Sequence, residues 1–252
     1  MILTVCNRRG GTGKTITCHS LGAGLRARGY SVLYIDLDSQ CNLTYDLGAS
    51  TTGVTAFDVL TNRATITDGI QHTEGGDILT GSPRLASADM LLTETGKEYR
   101  LREQLESVRK NYSFVLIDTA PALGICTVNA LTASDRALIP VQAEIHSLNG
   151  VSLISETIDT VRRYCNRGLV TDGILITRYN NRSILARDMA DNLTEQARAL
   201  GTKVYSTRVR ECVALKESQA VQQDIFTYAP RSNGAKDYNE VIKEFLRGQE
   251  NE

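Results

Sequence analysis

The sequence predicts an α/β protein: a doubly wound, mainly parallel sheet with helices on both faces. Three observations carry this reading. Short apolar, β-branched runs recur between longer stretches of helical character. These runs are almost continuously hydrophobic, as strands covered on both faces must be. A glycine-rich segment follows the first run and opens a helical pattern, and open α/β sheets bind ligands at such strand-to-helix turns.

The elements follow in order. Ile2–Cys6 is the first strand, and the helical segment Thr15–Arg28 follows the glycines. Ser31–Ile35 is the second strand. The stretch Gly48–Gly96 is the least regular, with turns marked by Gly75-Gly76 and Gly81-Ser82-Pro83, and it reads as an excursion from the sheet. Tyr99–Lys110 is helical and leads into a third strand, Phe114–Ile117. Ala137–Val141, helix Leu148–Tyr164, Gly173–Thr177 and helix Ile184–Leu200 complete the alternation. No Pro- or Ser-rich linker divides the chain and no repeat is visible, so residues 1–252 are expected to form a single domain. The sequence begins directly in its first strand, so no N-terminal helix-turn-helix is expected.

With 252 residues, 41% of them hydrophobic, the chain can bury a sizeable core. Its net charge of −1 and pI near 6.3 exclude a polycation, so any nucleic-acid contact needs a local basic patch. Cys6, Cys18, Cys41, Cys126, Cys165 and Cys212 are scattered, with neither a C-x-x-C pair nor a Cys/His cluster. They read as inert thiols in a reducing compartment. The apolar Met1–Val5 run meets Arg8-Arg9 too soon for a signal peptide, and no run reaches transmembrane length. A cytoplasmic protein is expected.

Arg8-Arg9-Gly10-Gly11-Thr12-Gly13-Lys14-Thr15 stands where a phosphate cradle belongs. Glycines let backbone N–H groups turn toward one anion, and the helix N-terminus adds its dipole. Lys14 would reach the β- and γ-phosphates and the Thr15 hydroxyl would ligate Mg²⁺. The common G-x-x-x-x-G-K-[ST] pattern fails here, because Arg8 occupies the place of its first glycine. Asp36 and Asp38 end the second strand, and Asp118 ends the third. An acid at the end of an apolar strand is costly to bury unless it meets a cation or accepts hydrogen bonds. Beside a phosphate loop the natural partner is Mg²⁺, directly or through its waters. Helix N-capping is the other role open to Asp38 and Asp118.

These residues together resemble the ParA/MinD group of P-loop ATPases, and its ParA-type partition branch in particular. That group carries K-G-G-x-G-K-[ST]; Arg9–Thr15 matches it with Arg in place of the first Lys. Asp36-Leu37-Asp38-Ser39-Gln40-Cys41-Asn42 is similar to its D-x-D-P-Q-x-N segment, with Ser39 for Pro. Phe114–Gly124 resembles ILIDTPPSLG. Further matches are Asn129-Ala130-Leu131, Ile139-Pro140-Val141-Gln142, and Tyr228-Ala229-Pro230 with Gly234 and Tyr238.

The resemblance implies a Mg²⁺-dependent, slow ATP hydrolase. Gly10, Gly11, Thr12, Gly13, Lys14, Thr15 and Ile16 would bind nucleotide, with Thr15, Asp38 and Asp118 at the metal. Lys14, Asp38 and Arg9 would be the catalytic residues, Asp38 orienting or activating the attacking water. The group forms an ATP sandwich dimer in which its signature lysine reaches the partner's nucleotide. Arg9 holds that place here, with Arg8 next door as the alternative. Thr177 and Arg210 stand where relatives contact adenine.

ParA-type proteins also bind DNA non-specifically through basic residues toward the C-terminal part. Ten Lys/Arg stand against six Asp/Glu between Arg178 and Lys236. Arg178, Arg182, Lys203, Arg208 and Lys216 are the expected phosphate contacts, with Arg210 a further candidate; such contacts give salt-sensitive affinity without a sequence code. A ParB-like centromere-binding partner and nucleoid association in the ATP state are implied as well. Membrane attachment is not expected. Val241, Ile242, Phe245 and Leu246 of Asp237–Arg247 fit packing against the sheet, and an acidic tail, Gln249-Glu250-Asn251-Glu252, would be repelled by anionic lipid. Cys126 reads as packing, not as a cluster ligand. Two alternatives remain: a positioning ATPase that recruits protein cargo without DNA, and a binding module that dimerises on ATP with little hydrolysis.

Overall fold

A computed structural model describes residues 1–250, the side chain of Glu250 excepted. The last two residues of the expected acidic tail, Asn251 and Glu252, lie outside the described residues. Among the described residues seven strands form one sheet: β1 (Ile2–Val5), β2 (Val32–Leu37), β3 (Ile70–Thr73), β4 (Gly76–Leu79), β5 (Phe114–Thr119), β6 (Arg136–Gln142) and β7 (Val170–Thr177). Their order is β3-β4-β2-β5-β1-β6-β7, and every neighbouring pair is parallel except β3 with β4.

Alternation along each strand sorts the side chains to the two faces. Leu3, Val5, Val32, Tyr34 and Leu116 point to one face, where Cys18, Leu21 and Leu25 of helix Lys14–Arg26 meet Tyr238, Val241, Ile242 and Phe245 of helix Asn233–Glu250. Ile2, Leu33, Ile35 and Ile117 point to the other, onto Phe57, Leu101, Leu105 and Ala130. Beyond them Ile139, Val141, Ile174 and Ile176 pack on Val151, Ile154 and Leu193 of helices Ser147–Tyr164 and Ile184–Ala199. Helix Lys14–Arg26 sits close on the sheet because Gly22 carries no side chain; a Cβ there would overlap the Tyr34 ring.

Two expectations are corrected. Part of the Gly48–Gly96 stretch rejoins the sheet: β4 pairs with β2 through Leu33↔Asp77 to Ile35↔Leu79, and β3 closes the edge as a hairpin through Thr73 and Gly76. Both strands are short and β3 is partly exposed, so its polar Gln71, His72 and Thr73 masked the pattern. The expected helix Tyr99–Lys110 is regular only over Arg100–Leu105, with single 3-10 turns at Lys97–Tyr99 and Arg109–Asn111.

The topology positions the site. β1 lies between β5 and β6, and β5 lies against β2, with Val5 opposite Asp118 and Asp118 opposite Asp36. The phosphate loop after β1 and the acids ending β2 and β5 are therefore brought together at the carboxyl ends of three adjacent strands.

Candidate nucleotide site

The loop between β1 and helix Lys14–Arg26 is held by its neighbours through its carbonyl oxygens. Gln142 Nε2 donates to Gly11 O (2.6 Å) and Thr177 Oγ1 to Thr12 O (2.7 Å). Lys14 Nζ donates to Arg9 O at 3.1 Å. Asn7 braces the start, its Nδ2 on Pro140 O and its Oδ1 accepting from Arg9 N. Gly13 has φ +84°, a conformation glycine adopts without strain, and it turns the chain directly into the helix. The N–H groups of the first helical turn, which have no intrahelical acceptor, face the loop as donors for an anion.

Lys14 is only 6% exposed. Burial lowers the pKa of its ammonium, and Asp118 and Asp38 act in the opposite sense. It is a desolvated cation held beside carboxylates, with a backbone carbonyl as the partner a phosphate would replace.

The three acids differ in what holds them. Asp36 is fully buried and committed: Oδ2 accepts from Thr44 N (2.9 Å) and Oγ1 (2.7 Å), and Oδ1 from Asp38 N (3.0 Å). It shapes the loop. Asp38 Oδ1 accepts from Gln40 N at 3.0 Å, and Asp38 lines the cavity. Asp118 Oδ2 accepts from Thr15 Oγ1 at 2.7 Å, whereas Oδ1 is buried with no partner among the described residues. Burial, then the neighbouring Asp36, push the Asp118 carboxyl well above the usual carboxylate range. A desolvated carboxylate oxygen without a partner, beside a hydroxyl at a phosphate loop, fits a hard divalent cation such as Mg²⁺. N-capping is the role of neither acid: Asp38 turns onto Gln40, and the helix after β5 starts at Ile125, whose N–H goes to Asp89 Oδ1.

Lys14, Thr15 and Asp38 open onto one cavity of about 570 Å³, within the range of small-molecule sites, whereas Asp36 and Asp118 are fully buried and Asp118 meets it only through Thr15. Gly11, Gly13, Lys14, Thr15, Ile16, Asp38, Thr177 and Arg210 all line it. Gly10 and Thr12 complete the loop behind it. Arg210 is held by Asp237 through Nε (2.9 Å) and Nη2 (2.5 Å), and sits at the apolar end with Val209, Cys212, Leu215 and Tyr238. Arg9 does not line the cavity; its Nη2 lies 2.6 Å from Glu144 Oε2.

The expected DNA contacts separate. Arg178 and Lys216 line the cavity, and Arg178 pairs with Glu211 at 3.3 Å. Arg208 stacks on Tyr179 and donates to its hydroxyl. Arg182 and Lys203 are exposed, Lys203 near the Tyr205 ring. Two further motif positions brace the fold: Asn129 binds Leu101 N, Lys97 O and Ile125 O, and Tyr238, which also lines the cavity, meets Thr17 Oγ1 through its hydroxyl. On the expected apolar face of helix Asn233–Glu250, Val241, Ile242 and Phe245 are buried and Leu246 is partly buried, and no helix among the described residues is long and apolar enough to cross a membrane. Sequence reasoning missed Tyr45, Asp46 and Gln219 in the cavity wall; they belong to no motif, and only the fold brings them there.

The chain is similar to known proteins over nearly its whole length. A family model described as an AAA domain (AAA_31) matches residues 1–171. The chain is 37% identical over 248 residues to the sporulation initiation inhibitor protein Soj of Bacillus subtilis, covering 96% of this chain and 97% of that protein. It is 34% identical over 252 residues to the chromosome partitioning protein ParA of Caulobacter vibrioides, covering 97% and 93%. Among solved structures, a Mycobacterium smegmatis protein described as cobyrinic acid a,c-diamide synthase, with bound ADP and magnesium, superposes with a TM-score of 0.86 at 30% identity, covering 99% of this chain and 95% of that one.

Proposed function

The chain belongs to the ParA/Soj family of P-loop ATPases, and on that premise we propose that it is a ParA-like partition ATPase that works from the cavity above β1. It is an ATP hydrolase that uses Mg²⁺. The observation that carries the reading for this chain is the Thr15–Asp118 pair, with one Asp118 oxygen left over, beside buried Lys14.

The residue roles follow from chemistry. Lys14 exchanges the Arg9 carbonyl for phosphate oxygens, and the first-turn N–H groups hold the same phosphates. Thr15 and Asp118 would hold Mg²⁺, which when bound neutralises charge between the β- and γ-phosphates. Asp38, on the cavity wall, orients the attacking water by accepting its hydrogen bond. Ile16, Thr177 and Arg210 form the base end. Arg9 is the cation that reaches the nucleotide of a second copy, so hydrolysis and dimerisation are linked. An arginine keeps the charge of the family's lysine with a planar, bidentate head, and loses a point charge's freedom of direction.

The assembly follows the partition relatives: one ATPase domain spanning residues 1–252, an ATP-dependent homodimer in the cytoplasm, non-specific DNA binding on the nucleoid, and a ParB-like partner that stimulates turnover. The test is retention on DNA of unrelated sequence, with ATP or ADP, across a salt series. ATP-dependent retention that falls steeply with salt is expected. Partner-stimulated turnover without any DNA retention would instead identify a protein-cargo ATPase, and retention without turnover a binding module.

A further inference from the structure

The wall of the cavity outside the motifs contains a link between two distant segments of the chain. Asp46 ends the short helix Asn42–Asp46, and its Oδ2 accepts from Gln219 Nε2 at 2.6 Å. One residue earlier, Tyr45 O accepts from Gln222 Nε2 at 2.9 Å. The two segments so joined are 173 residues apart in sequence. Asp46 is 3% exposed, and burial raises its carboxyl to about 6.

What each segment carries gives the link its meaning. The first runs from Asp36 to Asp46 and is rigid. Asp36 binds Asp38 N at one oxygen and Thr44 at the other, and Thr44 Oγ1 accepts from Gly81 N at 2.8 Å. Cys41 within it is held at φ +55°. Displacement at Asp46 therefore passes through Thr44 and Asp36 to Asp38. The second segment is helix Val213–Ala220, which has Cys212 as its N-cap and carries Leu215. With Ile16, Val209 and Tyr238 these make the apolar end of the cavity, the part suited to a base. Gln219 lies one turn beyond Leu215 on that helix.

We propose that Asp46 and Gln219 form a clamp that couples occupation of the base end of the cavity to the placement of Asp38, making Asp46 a positioning residue for hydrolysis. The inference rests on the reading of this cavity as an ATP site. It assigns to Asp46 a task outside the phosphate loop and the strand-end acids: a base seated against Cys212 and Leu215 fixes helix Val213–Ala220, and the clamp carries that order to the water-orienting carboxylate.

The test uses the full chain with Asp46→Ala, Gln219→Ala, the double variant and Asp46→Asn, measuring kcat and KM for ATP, the affinity for a fluorescent ATP analogue, and Tm. The clamp predicts that either alanine variant loses about tenfold in kcat, a scale within that of positioning networks. It predicts a smaller change in analogue affinity, and a double variant no worse than the singles. Asp46→Asn keeps an acceptor for Gln219 and retains kcat. Should Asp46→Ala fail to fold, Gln219→Ala and Asp46→Asn carry the test alone. Unchanged kcat in Gln219→Ala, additive losses, or an Asn variant as slow as the Ala variant would each overturn the clamp. Failure of the ATPase reading looks different: the unmodified protein then neither binds the analogue nor turns over ATP, and the clamp falls with it.

Discussion

Arg9 Nη2 lies 2.6 Å from Glu144 Oε2 of the same chain. The residue read as reaching into a second copy is thus paired within its own, on side chains 38% and 47% exposed. Exposed pairs of this kind contribute about 0–1 kcal/mol, so the contact is a weak hold that phosphate can displace. Glu144→Gln should leave Tm nearly unchanged and raise the ATP-bound dimer fraction at limiting ATP by up to about fivefold, the equivalent of about 1 kcal/mol. Arg9→Ala should bind ATP and stay monomeric. Analytical ultracentrifugation reads both, and an Arg9→Ala dimer indistinguishable from wild type would remove Arg9 from the interface.

Thr15 carries a different kind of test. Among the described residues its hydroxyl is the only donor to the Asp118 carboxylate, at 2.7 Å on Oδ2, while Oδ1 is buried and unpaired. Thr15→Ala leaves both oxygens without a donor, which should cost about 1–3 kcal/mol in the nucleotide-free protein. The same variant should lose most of the Mg²⁺ dependence of ATP binding. Thr15→Ser keeps the hydroxyl and should restore both, read by denaturant titration and by ATP affinity across a Mg²⁺ series.

How much of this was legible beforehand depends on the range of the interaction. Gly13, Lys14 and Thr15 are contiguous, so the loop announces itself. Asp36, Asp38 and Asp118 are legible because each ends an apolar strand, where an acid needs a reason. Asp46 and Gln219 are separated by 173 residues and follow no periodic or motif pattern, so only the fold, which sets helix Val213–Ala220 beside helix Asn42–Asp46, reveals them. The hairpin of β3 and β4 was hidden for another reason. An edge strand with one face open to water tolerates His72 and Gln71, and loses the hydrophobic signature that marks β2 or β5.

Asp46 also makes a prediction in stability alone. Its folded carboxyl is raised to about 6 from an ordinary value of 3.8, so between those values the native state holds a proton that the unfolded state has released. Stability contributed at this site therefore falls as pH rises from about 4 to about 6 and is flat beyond. Removing the charge removes that slope. Asp46→Asn should match wild type near pH 4 and exceed it by about 2–3 kcal/mol above pH 7. Urea titrations at both pH values measure the difference, and equal gains at pH 4 and pH 7 would count against a buried charge at this site.

The basic residues of the C-terminal part should divide by function as they divide in space. Arg178 and Lys216 line the nucleotide cavity, whereas Arg182 and Lys203 are exposed away from it. Arg182→Ala with Lys203→Ala should therefore leave ATP turnover without DNA unchanged. If both touch phosphate, the pair should lower the slope of log affinity against log salt by about 1.8 on duplex DNA, at about 0.9 for each contact. Arg178→Ala and Lys216→Ala should weaken ATP binding first, and DNA retention only as its consequence. Saturating ATP distinguishes the two cases, because it restores retention to the cavity variants and not to the surface pair. Loss of DNA binding in Lys216→Ala that persists at saturating ATP, with normal turnover, would move Lys216 from the nucleotide to the nucleic acid.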